Sequence, residues 1–562
     1  MASEDGAQDG ITDLKFKDAL LKGKSNYLCL RRWYSFRRGS PSSIEQLRVM
    51  VKLMIWVPET ETGDRNELLL LNEENGVWSH VSVSEEGCPL YECQIKQKGL
   101  CFFDRAKRRA RMADVLVVNH SLLLADLAMG GGVLPEYSHL IIDEAHNLED
   151  EATDALGFTV DRIMVMKLLT ELSAPPNSLG AADDFLGKLH AALASEMTKL
   201  KTASGTAGKL ASTRNLTVLV DEVSAGLRTT IDRAKGSASE IFATLVTLVE
   251  VYNDEQNVYD LRQRITEEVR RHPTWGQLEV VWDNMGLQLA EIEKGLARIT
   301  TLVGDVDWNA MPTSISGDGV ASYSDVLLEL RNNITRLHDL RSNTNAAIAN
   351  PDDGAVYWLE AKAKGGDVAL RCAPLHVGQL LDEHLFSQKE SVILTSATLS
   401  TDNDFSYIRE RLGLGSGVSK QLSSPFDYGE SALVYVPSDM PEPGMPGYQR
   451  VLEQTLVDMC IASEGRALIL FTSHSAVRAT YRAIQRPLED KGIMVLGHNI
   501  DGSRKQLLER FKSNPRTVLL GTSSFWEGID VVGDALSVLV IAKLPFSVPT
   551  DPVFSARSEG FE

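Results

Sequence analysis

Three aliphatic residues, Leu140-Ile141-Ile142, run straight into Asp143-Glu144-Ala145-His146. This is the strongest local constraint in the chain. A short aliphatic run that stops at paired carboxylates reads as a strand of a parallel sheet covered on both faces. Its carboxyl end is where α/β sheets bind ligands. In nucleotide hydrolases a strand-end aspartate holds Mg²⁺, usually through water. A neighbouring glutamate polarises the water that attacks the terminal phosphate. The four residues by themselves recur by chance, but the strand before them favours the functional reading over a plain turn.

The same grammar recurs along the chain. Val115-Leu116-Val117-Val118-Asn119 and His139-Leu140-Ile141-Ile142 read as short buried strands, as do Ser391–Leu394, Ala467–Phe471, Ile493–Leu496, Thr517–Leu520 and Ser537–Ile541. Helical patterns fall between several of them, including Ser475–Gln485 and Arg504–Lys512. Alternation of this kind predicts βαβ units. Between about 150 and 350, apolar residues recur instead at three- and four-residue spacing, as at Ile241, Leu245, Leu248 and Val251. That spacing predicts an amphipathic helical region with no chemistry of its own.

Two further strand ends are polar. Thr395-Ser396-Ala397-Thr398 follows one aliphatic run, and its hydroxyls could bridge a nucleotide site to a neighbouring domain. Gly521 to Asp530 follows another, and its glycines, hydroxyls and carboxylates suit contact with phosphate or ribose. Phe471-Thr472-Ser473-His474 ends a third, where Thr472 and Ser473 could hydrogen-bond a nucleic-acid backbone. Each is a common loop composition when taken alone.

The chain has 562 residues, enough for about three to five domains. The N-terminus has neither the basic nor the apolar region of a signal peptide. The longest apolar runs, such as Ala535–Ala542, fall short of the ~18 residues of a membrane span. A cytoplasmic protein without a membrane role is expected. The net charge of −20 opposes nucleic-acid binding on average, but local patches decide. Lys22, Lys24, Arg31, Arg32, Arg37 and Arg38 crowd one segment. Lys96, Lys98, Arg105, Lys107, Arg108, Arg109 and Arg111 crowd another. Either could be a solvated face, yet both sit beside cysteines.

Six cysteines in so long a chain exclude a disulfide scaffold. Cys372 and Cys460 are isolated and read as small apolar core residues. Cys29, Cys88, Cys93 and Cys101 gather near the N-terminus, with four residues between Cys88 and Cys93 and seven between Cys93 and Cys101. Structural zinc sites favour pairs two to four residues apart. Four unevenly spaced thiolates also suit an iron–sulfur cubane. Spacing leaves both open, with a metal-free cluster as the third reading.

Taken together, these residues resemble the DinG family of bacterial superfamily-2 DNA helicases, relatives of the XPD helicases. The resemblance runs through Lys22–Cys29, Val117–Leu123, Asp143–His146, Ala373-Pro374-Leu375, Ser396-Ala397-Thr398, Ser424–Tyr428 and Phe525–Asp530, in that order. It implies an α/β protein with two RecA-like parallel-sheet motor domains, the first one incomplete, an iron–sulfur domain and a helical arch insertion. On that scheme residues 1–114 hold the cluster domain with a remnant of motor domain 1. Residues 115–150 carry its acidic box, 151–350 the arch, 351–400 its end with the Ser-Ala-Thr motif, and 401–562 motor domain 2. The resemblance further implies a [4Fe–4S] cluster on Cys29, Cys88, Cys93 and Cys101. It gives Mg²⁺ to Asp143 and water activation to Glu144. It implies coupling by His146, Ser396 and Thr398, and nucleotide contact by Glu527, Gly528 and Asp530. ATP is the implied substrate. Single-stranded or forked DNA is the implied partner, tracked 5′ to 3′ and met by Arg108 and Arg109 beside the cysteines; no protein partner is implied.

The phosphate-binding pattern G-x-x-x-x-G-K-[ST] is absent from the chain. Gly23-Lys24-Ser25 has Asp18 where the first glycine belongs and reads as having no aliphatic strand before it. Gly208-Lys209-Leu210 lacks the hydroxyl. The family's arginine motif would follow Leu544-Pro545-Phe546 beyond Glu562. A fragment that hydrolyses ATP poorly or not at all is therefore expected. A non-catalytic DNA-binding iron–sulfur remnant, a zinc-stabilised interaction protein and a nuclease are the rivals.

Overall fold

The computed structural model describes residues 16–560 apart from 40, 42, 84–92, 175–183, 203–206, 253–260, 305–322, 362–366, 532 and 547–548. The chain divides into two compact units. Residues 1–421 and 549–562 form the first, and residues 422–548 form the second.

In the first unit, β1 (Asp18–Leu20) pairs in parallel with β2 (Val115–Val117). A strand therefore does precede Gly23-Lys24-Ser25, contrary to the sequence reading. Its pairing partner lies some hundred residues away, so no local pattern announces it. Lys24–Asn26 forms a single 3-10 turn, not the start of a long helix. The strand β3 (His139–Ile142) pairs in parallel with β8 (Ser391–Leu394), with Ile142 opposite Leu394.

These two ladders are not buried on both faces as their composition suggests. Val117 and Ile141 are 53% and 69% exposed. Side chains alternate across a strand, so Leu116, Leu140, Ile142, Val392 and Leu394 reach the core of Leu122, Leu124, Leu148 and Leu381 while their neighbours do not.

Between β3 and β8 lies the helical region, and it also holds a sheet that the helical pattern concealed. The strands β4 (Phe158–Asp161), β5 (Leu261–Arg264), β6 (Ala355–Ala361) and β7 (Val368–Pro374) make an antiparallel sheet in the order β4-β7-β6-β5. The strands β4 and β5 have four residues each, and the pairs β4–β7 and β5–β6 span long sequence separations, as Phe158 does with Cys372. A window scan cannot see such pairing.

The helices themselves follow the expected spacing. In Pro273–Gly304, Trp275, Leu278, Trp282, Met285, Leu289, Ile292, Leu296, Ile299 and Val303 are buried. Their intervals alternate strictly between three and four. That is the 3.5-residue repeat of a coiled-coil seam. The seam shares one core with Leu227, Ile231, Ala234, Ile241 and Leu245 of the long helix Ala207–Tyr252. Leu289→Ala is expected to cost about 2–5 kcal/mol through the cavity it leaves, read as a lower denaturation midpoint.

The second unit matches its expected pattern closely. The strands β9 (Ala467–Leu470), β10 (Met494–Gly497), β11 (Thr517–Gly521) and β12 (Val538–Ile541) form a parallel sheet in the order β10-β11-β9-β12. Ile469, Val477, Ile484 and Val518 pack on one face, while Leu470, Leu507, Phe511 and Leu519 pack on the other. Every side chain of β9 and β11 is buried. This double cover is what makes the runs continuously apolar.

Candidate functional site

The register of β3 on β8 builds the acidic loop. Because Ile142 faces Leu394, the residues just beyond each strand continue side by side. Thr395 N–H donates to Ile142 O at 2.8 Å, and Ala145 N–H donates to Thr395 O at 3.1 Å. Glu144 is held in the left-handed region, at φ 50° and ψ 41°. For a residue with a Cβ that conformation costs roughly 1–2 kcal/mol, so the surrounding hydrogen bonds must enforce it. His146 Nδ1 lies 2.6 Å from Ser396 Oγ and 3.5 Å from Glu144 Oε2. Thr398 N–H donates to Ser396 Oγ at 3.3 Å. Asp143 and Glu144 are exposed at the strand end, and the carbonyl of Asp143 meets His120 Nε2 at 2.9 Å. The structure thus gathers Asp143, Glu144, His146, Ser396 and Thr398, which are separated by some 250 residues of sequence. His120 was not assigned a role by the sequence, although it directly follows the Val-Val-Asn run.

The cysteines converge next. Cys29, Cys93 and Cys101 each stand immediately before a helix, at Leu30–Arg38, Gln94–Gln97 and Phe102–Arg111 respectively. Burial raises the Cys101 thiol above its ordinary pKa, and the nearby Cys29 and Cys93 add to the rise. Cys88 lies outside the described residues. Among the described residues, no three such side chains close tightly enough to hold a single metal ion.

One glycine lets this part of the chain come together. Gly63 has φ +67°, its carbonyl accepts from Leu28 N–H at 2.9 Å, and an added Cβ would fall 2.3 Å from Phe102 Cγ. Leu28 precedes Cys29 and Phe102 follows Cys101. Gly63→Ala is expected to destabilise this region by about 1–3 kcal/mol and to speed alkylation of Cys29 and Cys101, which become more accessible. Unchanged melting and unchanged thiol reactivity would contradict this.

The basic residues flank the cysteines. Arg108 and Arg109 are exposed on Phe102–Arg111, and Arg108 Nη2 lies 2.5 Å from Asp104. Burial lowers the pKa of Lys107, and the positive charges of Arg111, Lys96 and Lys24 lower it further. The two basic segments of the sequence therefore meet in space.

In the second unit, the polar residues collect at the carboxyl ends of β9, β10 and β11. Ser473 caps the helix His474–Glu489, accepting from Ala476 N–H at 3.2 Å, and Thr472 beside it is exposed. Trp526 Nε1 donates to Phe471 O at 3.4 Å. Arg504 Nη2 donates to the carbonyls of Glu527 and Gly528 at 2.8 and 3.0 Å. Glu527, Gly528 and Asp530 are exposed there.

His498, which the sequence reading passed over, sits between these loops. Its Nδ1 lies 2.8 Å from Thr522 Oγ1, and its ring is 5.0 Å from that of His474. Its position directly after a strand was the available signal. Burial lowers the His498 pKa, assisted by His474 and Arg504. The unfolded chain therefore binds this proton more readily, so the stability that His498 contributes is present above about pH 6.5 and falls as pH drops through that value. Histidine NMR should place its midpoint below those of exposed histidines, and His498→Gln should flatten the acid-side loss.

Known proteins align along nearly the whole chain. The helicase C-terminal domain family matches residues 456–562. The ATP-dependent DNA helicase YoaA of Escherichia coli is 29% identical, over 96% of this chain and 72% of that protein. The ATP-dependent helicase DinG of Mycobacterium tuberculosis is 29% identical, over 96% and 71%. The 3'-5' exonuclease DinG of Bacillus subtilis is 27% identical, over 96% and 55%. The chain is thus similar over most of its length to proteins named DinG and YoaA. It spans about half the length of the Bacillus subtilis relative. A solved XPD helicase chain aligns with 97% of this chain and 75% of its own length, at 13% identity and a TM-score of 0.39. No described helix is long and apolar enough to cross a membrane.

Proposed function

We propose that this chain is the ATP-hydrolysing, DNA-translocating part of a helicase. The observation that carries the reading is the acidic loop. Asp143 and Glu144 project from the carboxyl end of a parallel strand, and His146 is bonded to Ser396 just beyond the end of the adjacent one. Asp143 would hold Mg²⁺ on the nucleotide phosphates, and Glu144 would take a proton from the attacking water. Loss of the His146–Ser396 bond would pass the state of the loop to the Ser-Ala-Thr turn and Thr398. Glu527, Gly528 and Asp530 would contact nucleotide. Thr472 and Ser473 would contact the DNA backbone, as would Arg108 and Arg109 on the first unit.

We assign a [4Fe–4S] cluster to Cys29, Cys93 and Cys101, with Cys88 as the fourth ligand. Three thiols meet there, each immediately before a helix. A cubane takes one thiolate per iron, so its ligands stand wider apart than those of a single ion. Bound, the cluster would supply four cross-links between segments that otherwise share only a small core. Residues 151–350 would form an arch beside it, and the strand would move 5′ to 3′. The domain scheme of residues 1–114, 115–150, 151–350, 351–400 and 401–562 belongs to the same reading.

The test is ATP hydrolysis by the whole chain, with and without single-stranded DNA. A slow rate that single-stranded DNA accelerates is expected, because no phosphate-binding loop motif occurs in the sequence. DNA binding with no turnover under any condition would point to the non-catalytic remnant. Binding to single-stranded DNA should also weaken steeply with salt.

A further inference from the structure

The acidic loop is followed by a buried carboxylate that no role yet accounts for. Glu149 lies in the helix Leu148–Ala155, one turn past His146, with its side chain 13% exposed. Arg411 Nε donates to its Oε2 at 2.9 Å, and Arg411 Nη2 donates to its Oε1. Arg557 Nη1 lies 3.0 Å from the same Oε1. Arg557 is further committed, with Nε donating to Leu375 O and Nη2 donating to Thr153 Oγ1, both at 2.8 Å. Thr153 in turn donates to Glu149 O at 2.7 Å. Each guanidinium side chain is only 10% exposed.

Two guanidiniums on one buried carboxylate are a poor device for stability alone. The desolvation of three charges offsets much of their attraction, and burial lowers the pKa of Arg557. What such a network fixes is position. Arg411 belongs to the helix Ser406–Leu412, shortly before the second unit begins at Leu422. Arg557 belongs to the helix Pro552–Glu559, shortly after the second unit ends at Val548. The segments entering and leaving the second unit therefore converge on Glu149. From Glu149 the path to the loop is short and stiff. Leu148 is fully buried, and Asn147 N–H closes a 3-10 turn on Glu144 O at 3.0 Å.

We propose that Glu149, held by Arg411 and Arg557, is a positioning residue that ties the two leads of the second unit to the Asp143–His146 loop and sets the His146–Ser396 contact. The proposal rests on the reading of that loop as the nucleotide site. Displacement of either lead would then be felt at His146, without a contact from the second unit itself.

The experiment follows His146 directly. Histidine-labelled whole chain is compared with Glu149→Gln, Arg557→Gln and Arg557→Lys by NMR of the His146 ring, alongside thermal melting. Arg228→Gln is the control. It breaks the pair between Arg228 Nη1 and the buried Asp184 Oδ2, 2.7 Å apart, in the helical region. The expected result is that Glu149→Gln and Arg557→Gln move the His146 resonances, while Arg228→Gln lowers the melting temperature and leaves them in place. Arg557→Lys keeps the charge without the guanidinium fork, so it should fold and still shift His146. In hydrolysis assays the DNA stimulation should fall by about tenfold with nucleotide affinity retained. His146 signals identical to wild type in folded Glu149→Gln and Arg557→Lys would overturn the proposal. If wild type shows no hydrolysis, the nucleotide reading fails, and the NMR comparison still decides whether the clamp positions the loop.

Discussion

Glu144→Gln is expected to reduce DNA-stimulated ATP hydrolysis by about 10²–10⁴-fold, the range attributable to a positioned general base. The amide keeps the size of the side chain and removes its ability to take a proton. Glu144 is exposed and its backbone is fixed in the left-handed region by neighbours other than its own carboxylate. The substitution should therefore leave folding and the His146–Ser396 bond intact. Binding of Mg²⁺-nucleotide should persist, because Asp143, and not Glu144, is assigned to the metal. Asp143→Asn should do the reverse and weaken nucleotide binding in a Mg²⁺-dependent way. The decisive comparison is the pair of single-turnover rates and nucleotide affinities for the two variants. Equal hydrolysis by wild type and Glu144→Gln would remove Glu144 from the chemistry.

How much of this was legible follows from the range of each interaction. The second unit was readable almost strand for strand, because Ala467–Leu470 and Thr517–Gly521 are buried on both faces and so must be apolar throughout. The acidic box and the Ser-Ala-Thr turn were visible separately, while their hydrogen bond depends on the pairing of Ile142 with Leu394 across the helical region. The antiparallel sheet escaped because Phe158–Asp161 and Leu261–Arg264 are four-residue strands embedded among long amphipathic helices. The strand Asp18–Leu20 escaped because it is three residues long and begins with an aspartate, a residue depleted in strands. The arginines on Glu149 left no motif at all. A guanidinium that finds its carboxylate some 260 residues upstream, as Arg411 does, has no sequence signature.

Cys101→Ser is expected to abolish the iron–sulfur chromophore and take iron from about four atoms per chain to nearly none. Serine is close in size, so the helix Phe102–Arg111 should still start in place, and the hydrogen bond from Arg105 N–H to the residue 101 carbonyl, 3.0 Å in the native chain, should survive. What is lost is a soft thiolate ligand, which a serine hydroxyl does not replace at neutral pH. Cys372→Ser and Cys460→Ser are the controls. Both residues are buried far along the chain, where burial raises the thiols to about 11 and about 12. Those two variants should lose stability and keep their iron. Because Cys29, Cys93 and Cys101 each open a helix beside a dense group of cations, loss of the cluster should also loosen the basic surface around Lys96 and Lys107. Salt-dependent binding of single-stranded DNA then becomes weaker in Cys101→Ser, with a shallower slope. A colourless wild-type protein carrying zinc instead of iron would assign the same thiols to a structural zinc site. Undiminished iron in Cys101→Ser would remove Cys101 from the ligand set.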